Sequence, residues 1–235
     1  MRALLLAAGL GTRLRPLTNS MPKCLVPING QPLLDIWLER LTKAGFGPFL
    51  VNTHYLSKQV ESFLEASPYR NQVSLVHESQ LRGTAGTLIE NLNFFEGMDG
   101  MLIHADNYCL ADLKDFLLAH RNRPSECLMT MMTFRTTEPS SCGIVKLNEF
   151  GVVVEFFEKN KEPPGNLANG AVYILSSELL KILDDNSNNF KDFSVEVLPK
   201  LIGKIFTYET QEIFLDIGKP ESYMAANKIN FEFKN

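Results

Sequence analysis

Residues 1–18 read Met1-Arg2-Ala3-Leu4-Leu5-Leu6-Ala7-Ala8-Gly9-Leu10-Gly11-Thr12-Arg13-Leu14-Arg15-Pro16-Leu17-Thr18, an apolar run that stops abruptly at a glycine-rich, basic loop. The run Arg2–Ala8 has the length of a buried strand. It resembles a secretory leader only superficially, because Gly9 and then the polar Thr12, Arg13 and Arg15 cut short the core of roughly 7–15 apolar residues that a leader needs. A continuously apolar strand is buried on both faces, as in a sheet covered by helices. Ligands of open α/β sheets gather outside the carboxyl ends of such strands, where this loop stands.

Outward from that passage, strand-length apolar runs alternate with helix-period segments. Leu33–Ala44 is a helix with Leu34, Trp37, Leu38 and Leu41 on one face, followed by a strand over Phe49–Asn52 and a helix over Ser57–Ala66. Val73–Val76 is a strand, Thr84–Phe95 a helix, Met101–His104 a strand, Leu110–Arg121 a helix and Cys127–Phe134 a strand. This order implies an α/β fold, a Rossmann-like three-layer α/β/α arrangement around a mainly parallel mixed sheet. Further on, Gly143–Leu147 and Val152–Phe157 flank Asn148-Glu149-Phe150-Gly151, whose glycine favours a hairpin turn. A strand over Ala171–Leu175 and two more helical stretches complete the pattern. Pro163-Pro164 and Gly165 mark a loop rather than a linker, so 1–235 reads as a single domain.

The formal net charge is -4 and the basic residues are scattered, which excludes a nucleic-acid partner held by phosphate neutralisation. No segment approaches the roughly 20 apolar residues of a membrane span. Cys24, Cys109, Cys127 and Cys142 lack Cys-x-x-Cys spacing and read as reduced thiols of a soluble, cytoplasmic protein.

The loop is neither of the two common glycine-rich phosphate binders. A dinucleotide fingerprint would have a third glycine at Leu14, and a P-loop would need Gly-Lys-Ser/Thr. What remains is Gly9-Leu10-Gly11-Thr12-Arg13-Leu14-Arg15-Pro16-Leu17-Thr18 followed by Pro22-Lys23-Cys24. Glycine N–H groups can donate to phosphate oxygens, Arg offers a planar fork and Lys a compact charge.

This stretch closely resembles the signature of the sugar-1-phosphate nucleotidyltransferases, or nucleotide-sugar pyrophosphorylases, nearest to their short mannose-1-phosphate and manno-heptose-1-phosphate guanylyltransferases. The resemblance runs from Met1 to about Asn227 and leaves no room for the β-helical acyltransferase domain some relatives carry. It implies the nucleotide-diphospho-sugar transferase fold, with a nucleotide-binding half over about 1–125 and a sugar-binding half over about 126–235. It also implies the reaction: a nucleoside triphosphate joined to a sugar-1-phosphate with release of pyrophosphate, in line and without a covalent enzyme intermediate.

Site residues follow from the same resemblance. Leu6, Ala8, Gly9, Gly11 and Thr12 would line the nucleotide, Arg13 would hold the phosphates that leave, and Lys23 the α-phosphate. Gly83-Thr84-Ala85-Gly86 would hold the base. Glu78 could accept two hydrogen bonds from guanine, where uracil offers one donor, and this favours GTP. Asp106, closing a strand, and Asp216, in Leu215-Asp216-Ile217-Gly218-Lys219-Pro220, would be the magnesium ligands, since Mg²⁺ takes one or two carboxylates plus phosphates and waters. On the sugar side stand Gly143, Glu158, Lys159, Asn169 and Gly170, with Asp106 also near the sugar phosphate. The chain departs from the family at Cys24 (usually Pro), Arg82 (usually Leu) and Gly170-Ala171 (usually the reverse order). His104, with no second histidine at ligand spacing, reads as structural.

Uridylyl or cytidylyl transfer to another phosphate ester stays open at this stage, as does oligomeric state, a homodimer included. A glycosyltransferase using Asp-x-Asp would need an acid at Tyr108. A non-catalytic regulatory homologue would have no need to keep Arg13, Lys23, Asp106, Lys159 and Asp216 together.

Overall fold

Leu4 and its neighbours Ala3 and Leu5 are fully buried, and they face opposite sides of the sheet. That alternation sets the layering of the computed structural model, which describes residues 1–185 and 190–229. The front half contains β1 (Arg2–Leu6), the short pair β2 (Pro27–Ile28) and β3 (Gln31–Pro32), α1 (Leu33–Lys43), β4 (Phe49–Thr53), α2 (Ser57–Glu65), β5 (Val73–His77), α3 (Gly83–Glu90), β6 (Gly100–His104), β7 (Asn107–Cys109) and α4 (Leu113–Arg121). The back half adds β8 (Met129–Arg135), β9 (Gly143–Leu147), β10 (Val153–Glu158), β11 (Leu167–Leu175), α5 (Ser177–Asp185), β12 (Ile205–Glu209), β13 (Phe214–Asp216) and α6 (Pro220–Lys228).

The main sheet runs β10-β9-β11-β6-β1-β4-β5, with β8 and β12 joined beside β11. The register makes β5, β4, β1, β6, β8, β12 and β9 run one way and β11 and β10 the other. The sheet is therefore mixed and mainly parallel, as expected. Ala3, Leu5, Met101 and Ile103 face α1, α2 and α4, while Leu4 and Leu102 face α3, α5 and the segment Phe193–Leu201. Helices on both faces explain the unbroken apolar runs. Leu34, Trp37, Leu38 and Leu41 form the buried stripe of α1. Among the described residues, no helix is long and apolar enough to cross a membrane.

Several boundaries differ from the sequence pattern. The helix expected over Thr84–Phe95 stops at Glu90 and gives way to a 3₁₀ turn over Leu92–Phe95. Asn91 turns its amide back to the Thr87 carbonyl at 2.8 Å, the local bond by which Asn competes with helix propagation. The helix expected from Leu110 starts at Leu113, because Asp112 caps it through the N–H groups of Lys114 and Asp115 (2.8 and 3.1 Å). Residues 107–109, to which the sequence pattern assigns no element, form β7, which pairs with β13. Neither β13 nor β12 was expected. The strand expected over Ala171–Leu175 begins at Leu167 and shifts register between Asn169 and Tyr173.

Candidate active site

Site geometry starts from the loop after β1. Gly11 adopts φ +62°, and a side chain there would come within 2.9 Å of Thr18 and 3.2 Å of Lys23 Cβ. Thr18 is fully buried and its hydroxyl donates to the Gly11 carbonyl at 2.7 Å. Gly11 thus lets the loop close onto Lys23, while Gly9 is exposed with open space around it. Thr12 opens the 3₁₀ turn Thr12–Leu14. The Lys23 side chain is 7% exposed, and its Nζ donates to Asp106 Oδ2 at 2.7 Å and lies 3.5 Å from Asp216 Oδ1. Arg13 Nη2 stands 3.8 Å from Asp216 Oδ2.

Two distant aspartates meet because β7 and β13 pair antiparallel, setting Asp216 opposite Asn107. The Ile217 N–H reaches the Asp106 carbonyl at 3.3 Å. Burial alone would raise the Asp106 carboxyl, but the Lys23 charge, the neighbouring His104 and the hydrogen bonds from Lys23 and the backbone together hold the group below its ordinary value. Both carboxylates face one cationic centre, a donor set that suits Mg²⁺ alongside phosphate oxygens and waters. Among the described residues no group of three or more His, Cys, Asp or Glu could hold a metal ion, so phosphate and water would have to complete such a shell.

Leu6, Ala8, Gly9, Lys23, Glu78, Gly83, Thr84, His104 and Asp106 line a cavity of about 230 Å³. The sequence singled out each of these, His104 as structural. Glu78 is buried, and three protein donors hold its carboxylate. Oε1 accepts from Asn52 Nδ2 (2.8 Å) and Thr87 Oγ1 (2.5 Å), and Oε2 from the Arg82 N–H (3.1 Å). A carboxylate has about four acceptor sites, so Oε2 keeps room for one more donor rather than the two expected from guanine. Asn52 also accepts from the Ala7 N–H at 2.7 Å, tying β4 to the loop after β1. Gly83 has φ +78°, and a Cβ would lie 2.3 Å from the Lys191 carbonyl. The Thr84 hydroxyl accepts from the Phe193 N–H at 2.8 Å. A segment from the back half therefore walls the turn assigned to the base.

Arg13 and Asp216 line a neighbouring cavity of about 300 Å³ with Arg135, Glu138, Ser141 and Lys219. Gly143, Glu158, Lys159, Asn169 and Gly170 line neither cavity. Gly143 pairs with Glu158 across β9 and β10, and a side chain at 143 would strike the Phe156 ring (2.6 Å) and the Glu158 carboxylate (2.7 Å). Lys159 is exposed, with Nζ 3.4 Å from Glu158 Oε1. Asn169 is engaged internally, accepting from the Ala171 N–H (2.9 Å) and donating to the Tyr173 hydroxyl (2.8 Å). These bonds support the β11 irregularity, where Ala171 has φ +52°. The Gly170 carbonyl accepts from Asn107 Nδ2 at 3.0 Å, one residue from Asp106.

Sequence reasoning missed Asn52, Thr87 and Gly218. A Cβ at Gly218 would sit 2.9 Å from Asp216 Oδ2 and 3.0 Å from Arg13 Nη2, and the glycine two places after Asp216 was its only signal. The four cysteines are free thiols. Burial pushes Cys24 up to about 12 and Cys109 up to about 11, so neither is reactive.

The sequence model of the nucleotidyl transferase family matches residues 2–231. The mannose-1-phosphate guanylyltransferase of Mycobacterium tuberculosis is 31% identical over 229 residues, covering 94% of this chain and 62% of that protein. The mannose-1-phosphate guanylyltransferase catalytic subunit beta of Drosophila melanogaster is 30% identical over 229 residues, covering 95% of this chain and 61% of that protein. The chain thus spans about three-fifths of the length of these curated relatives. HddC from Yersinia pseudotuberculosis, solved in complex with GMP-PN, superposes with a TM-score of 0.81 at 27% identity, covering 97% of this chain and 98% of HddC. A UDP-glucose pyrophosphorylase solved with UDP-glucose gives a TM-score of 0.81 at 24% identity, covering 97% of each chain, and shares the nucleotide-diphospho-sugar transferase fold.

Proposed function

Because the chain belongs to the nucleotidyl transferase family, we propose that it transfers a guanylyl group from GTP to a mannose- or manno-heptose-1-phosphate, releasing pyrophosphate. One observation carries the reading: Lys23 Nζ stands between Asp106 and Asp216 beside a cavity that reaches Glu78 and Gly83. The guanine choice is supported by the activity named for the relatives and by the nucleotide in the HddC complex.

The acceptor phosphate has a second pKa near 6 and is mostly dianionic at neutral pH, so it needs positioning more than a general base. Lys159 holds it, Lys23 screens the α-phosphoryl oxygens, and Arg13 stabilises the departing pyrophosphate. A charge held in place as Lys23 is is worth most where charge develops in the transition state. Magnesium on Asp106 and Asp216 would supply Lewis-acid charge to the phosphoryl oxygens. Glu158, beside Gly143, would meet the sugar hydroxyls. A cytoplasmic enzyme supplying activated sugar for a cell-surface polysaccharide belongs to the same proposal, as does the division into a nucleotide half and a sugar half.

A second reading, uridylyl transfer, draws on the single acceptor site left on Glu78 Oε2, which suits the one N–H on the pairing edge of uracil. Pyrophosphate release with magnesium, four nucleoside triphosphates crossed against a panel of sugar-1-phosphates, separates the two. Release with GTP and a manno-configured phosphate is the expected outcome. Release with UTP alone transfers the assignment to the second reading, and silence across the panel removes both.

A further inference from the structure

Nε2 of His104 is buried and has no hydrogen-bond partner among the described residues. Buried polar atoms are rarely left so. The other described side chains with such an atom, Arg40, Thr42 and Thr133, lie outside the wall of the cavity that holds Lys23, whereas His104 lines it.

The register of the sheet says what would reach it. Leu6 is paired with Asn52 on β4 and with His104 on β6, so the three stand in one row at the carboxyl ends of adjacent parallel strands. Side chains in such a row share a face, and two strand spacings put Asn52 and His104 about 10 Å apart. Asn52 holds Glu78, at the end of the cavity assigned to the base. Lys23 and Asp106 mark the phosphate end. In a nucleoside triphosphate the ribose joins these two parts, so a nucleotide that spans the cavity sets its ribose near Leu6, with His104 on the β6 side of it. His104 lines the cavity while its Nε2 is sealed in this structure, so rotation of the ring is the movement by which that nitrogen would meet a hydroxyl there.

We propose that His104 is a specificity-determining residue that hydrogen-bonds a ribose hydroxyl of the bound nucleotide, selecting a nucleotide with an intact ribose diol over its dideoxy counterpart. The proposal rests on the nucleotide occupying this cavity, and it is independent of which base is bound.

The test is direct binding, with magnesium and without sugar phosphate, of GTP and 2′,3′-dideoxy-GTP to the full chain and to His104→Leu and His104→Gln, with UTP and its dideoxy form run in parallel. The parent protein is expected to bind the ribonucleotide about tenfold more tightly, the size of one hydrogen bond. His104→Leu brings that ratio close to one by weakening the ribonucleotide alone, and His104→Gln, which keeps a polar group of similar reach, retains most of it. A merely structural histidine would shift both ligands equally. A ratio near one in the parent protein, which needs no variant to fold, overturns the proposal, and so does a ratio that His104→Leu leaves unchanged. Diol discrimination with UTP rather than GTP supports it while removing only the guanine assignment. Binding of no nucleoside triphosphate overturns the proposed function and this inference together.

Discussion

Lys23 donates to Asp106 across 2.7 Å, joining two residues that are 83 positions apart in the chain. The lysine is 7% exposed and the aspartate 38%, so the cation is held rigidly behind a carboxylate that still faces the cavity. A lysine held this way is preorganised for developing phosphoryl charge. Lys23→Ala is expected to lower the turnover of pyrophosphate release about a hundredfold or more with an unchanged circular dichroism spectrum. Near-parental turnover would remove Lys23 from the mechanism.

Two carboxylates facing one cation suit a site that works with a divalent ion. Chelation should abolish pyrophosphate release, and added magnesium should restore it. Asp106→Asn and Asp216→Asn should each raise the magnesium concentration needed for half-maximal rate. Activity indifferent to chelator would dismiss both as ligands.

Gly218 separates stability from function. Its Cβ would meet the tips of Asp216 and Arg13 at 2.9 and 3.0 Å, and these flexible ends can yield without disturbing the core. Gly218→Ala should therefore melt close to the parent protein yet lose about tenfold or more in kcat, since small displacements of positioned groups are costly. A parallel loss of melting temperature would make the glycine a folding residue instead.

Gly83 predicts the reverse balance. A methyl there would lie 2.3 Å from the Lys191 carbonyl with φ +78°, and backbone rather than a side-chain tip would have to move. Gly83→Ala should cost about 2 kcal/mol or more from the left-handed conformation and the displaced segment. That corresponds to a fall of about 4–8 °C in Tm, with a raised KM for the nucleotide. An unchanged melting curve would mean that 190–193 gives way freely.

His120 supplies a pH signature away from the site. It is 1% exposed, with Nδ1 2.8 Å from Thr130 Oγ1 and Nε2 3.4 Å from Asp99 Oδ2. Burial, helped by the Arg123 charge and opposed by Asp99, lowers it from 6.5 to about 4. The unfolded chain then binds the extra proton first, so the contribution is fully present above about pH 6.5 and lost as pH falls toward 4. Its size is on the order of 3 kcal/mol. Urea melts across that window should show a slope that His120→Phe flattens, and an equal slope in both proteins would contradict the assignment.

Much of this was legible in the linear pattern. The strand-then-glycine opening, the helix stripe of Leu34, Trp37, Leu38 and Leu41, and the Asn148–Gly151 turn are local features, and local periodicity reports them well. Residues 107–109 were hidden because three residues carry no period, and their pairing to β13 spans about half the chain. Asn169 hid a second role for a related reason: its side chain bonds within the strand irregularity beside it, which follows from tertiary register and not from its neighbours in sequence.

By itself the sequence determined the layered α/β fold and the family, because buried strands demand continuous apolar runs and the family's loop signature is a contiguous order of glycines and cations. Tertiary structure decided which of those residues meet. Antiparallel pairing of β7 with β13 carried Asp216 to Asp106 and Lys23, and the row Asn52, Leu6, His104 exists only through strand register. Such contacts are set by how strands pair across long separations, a choice that depends on packing of the whole sheet and leaves no local trace.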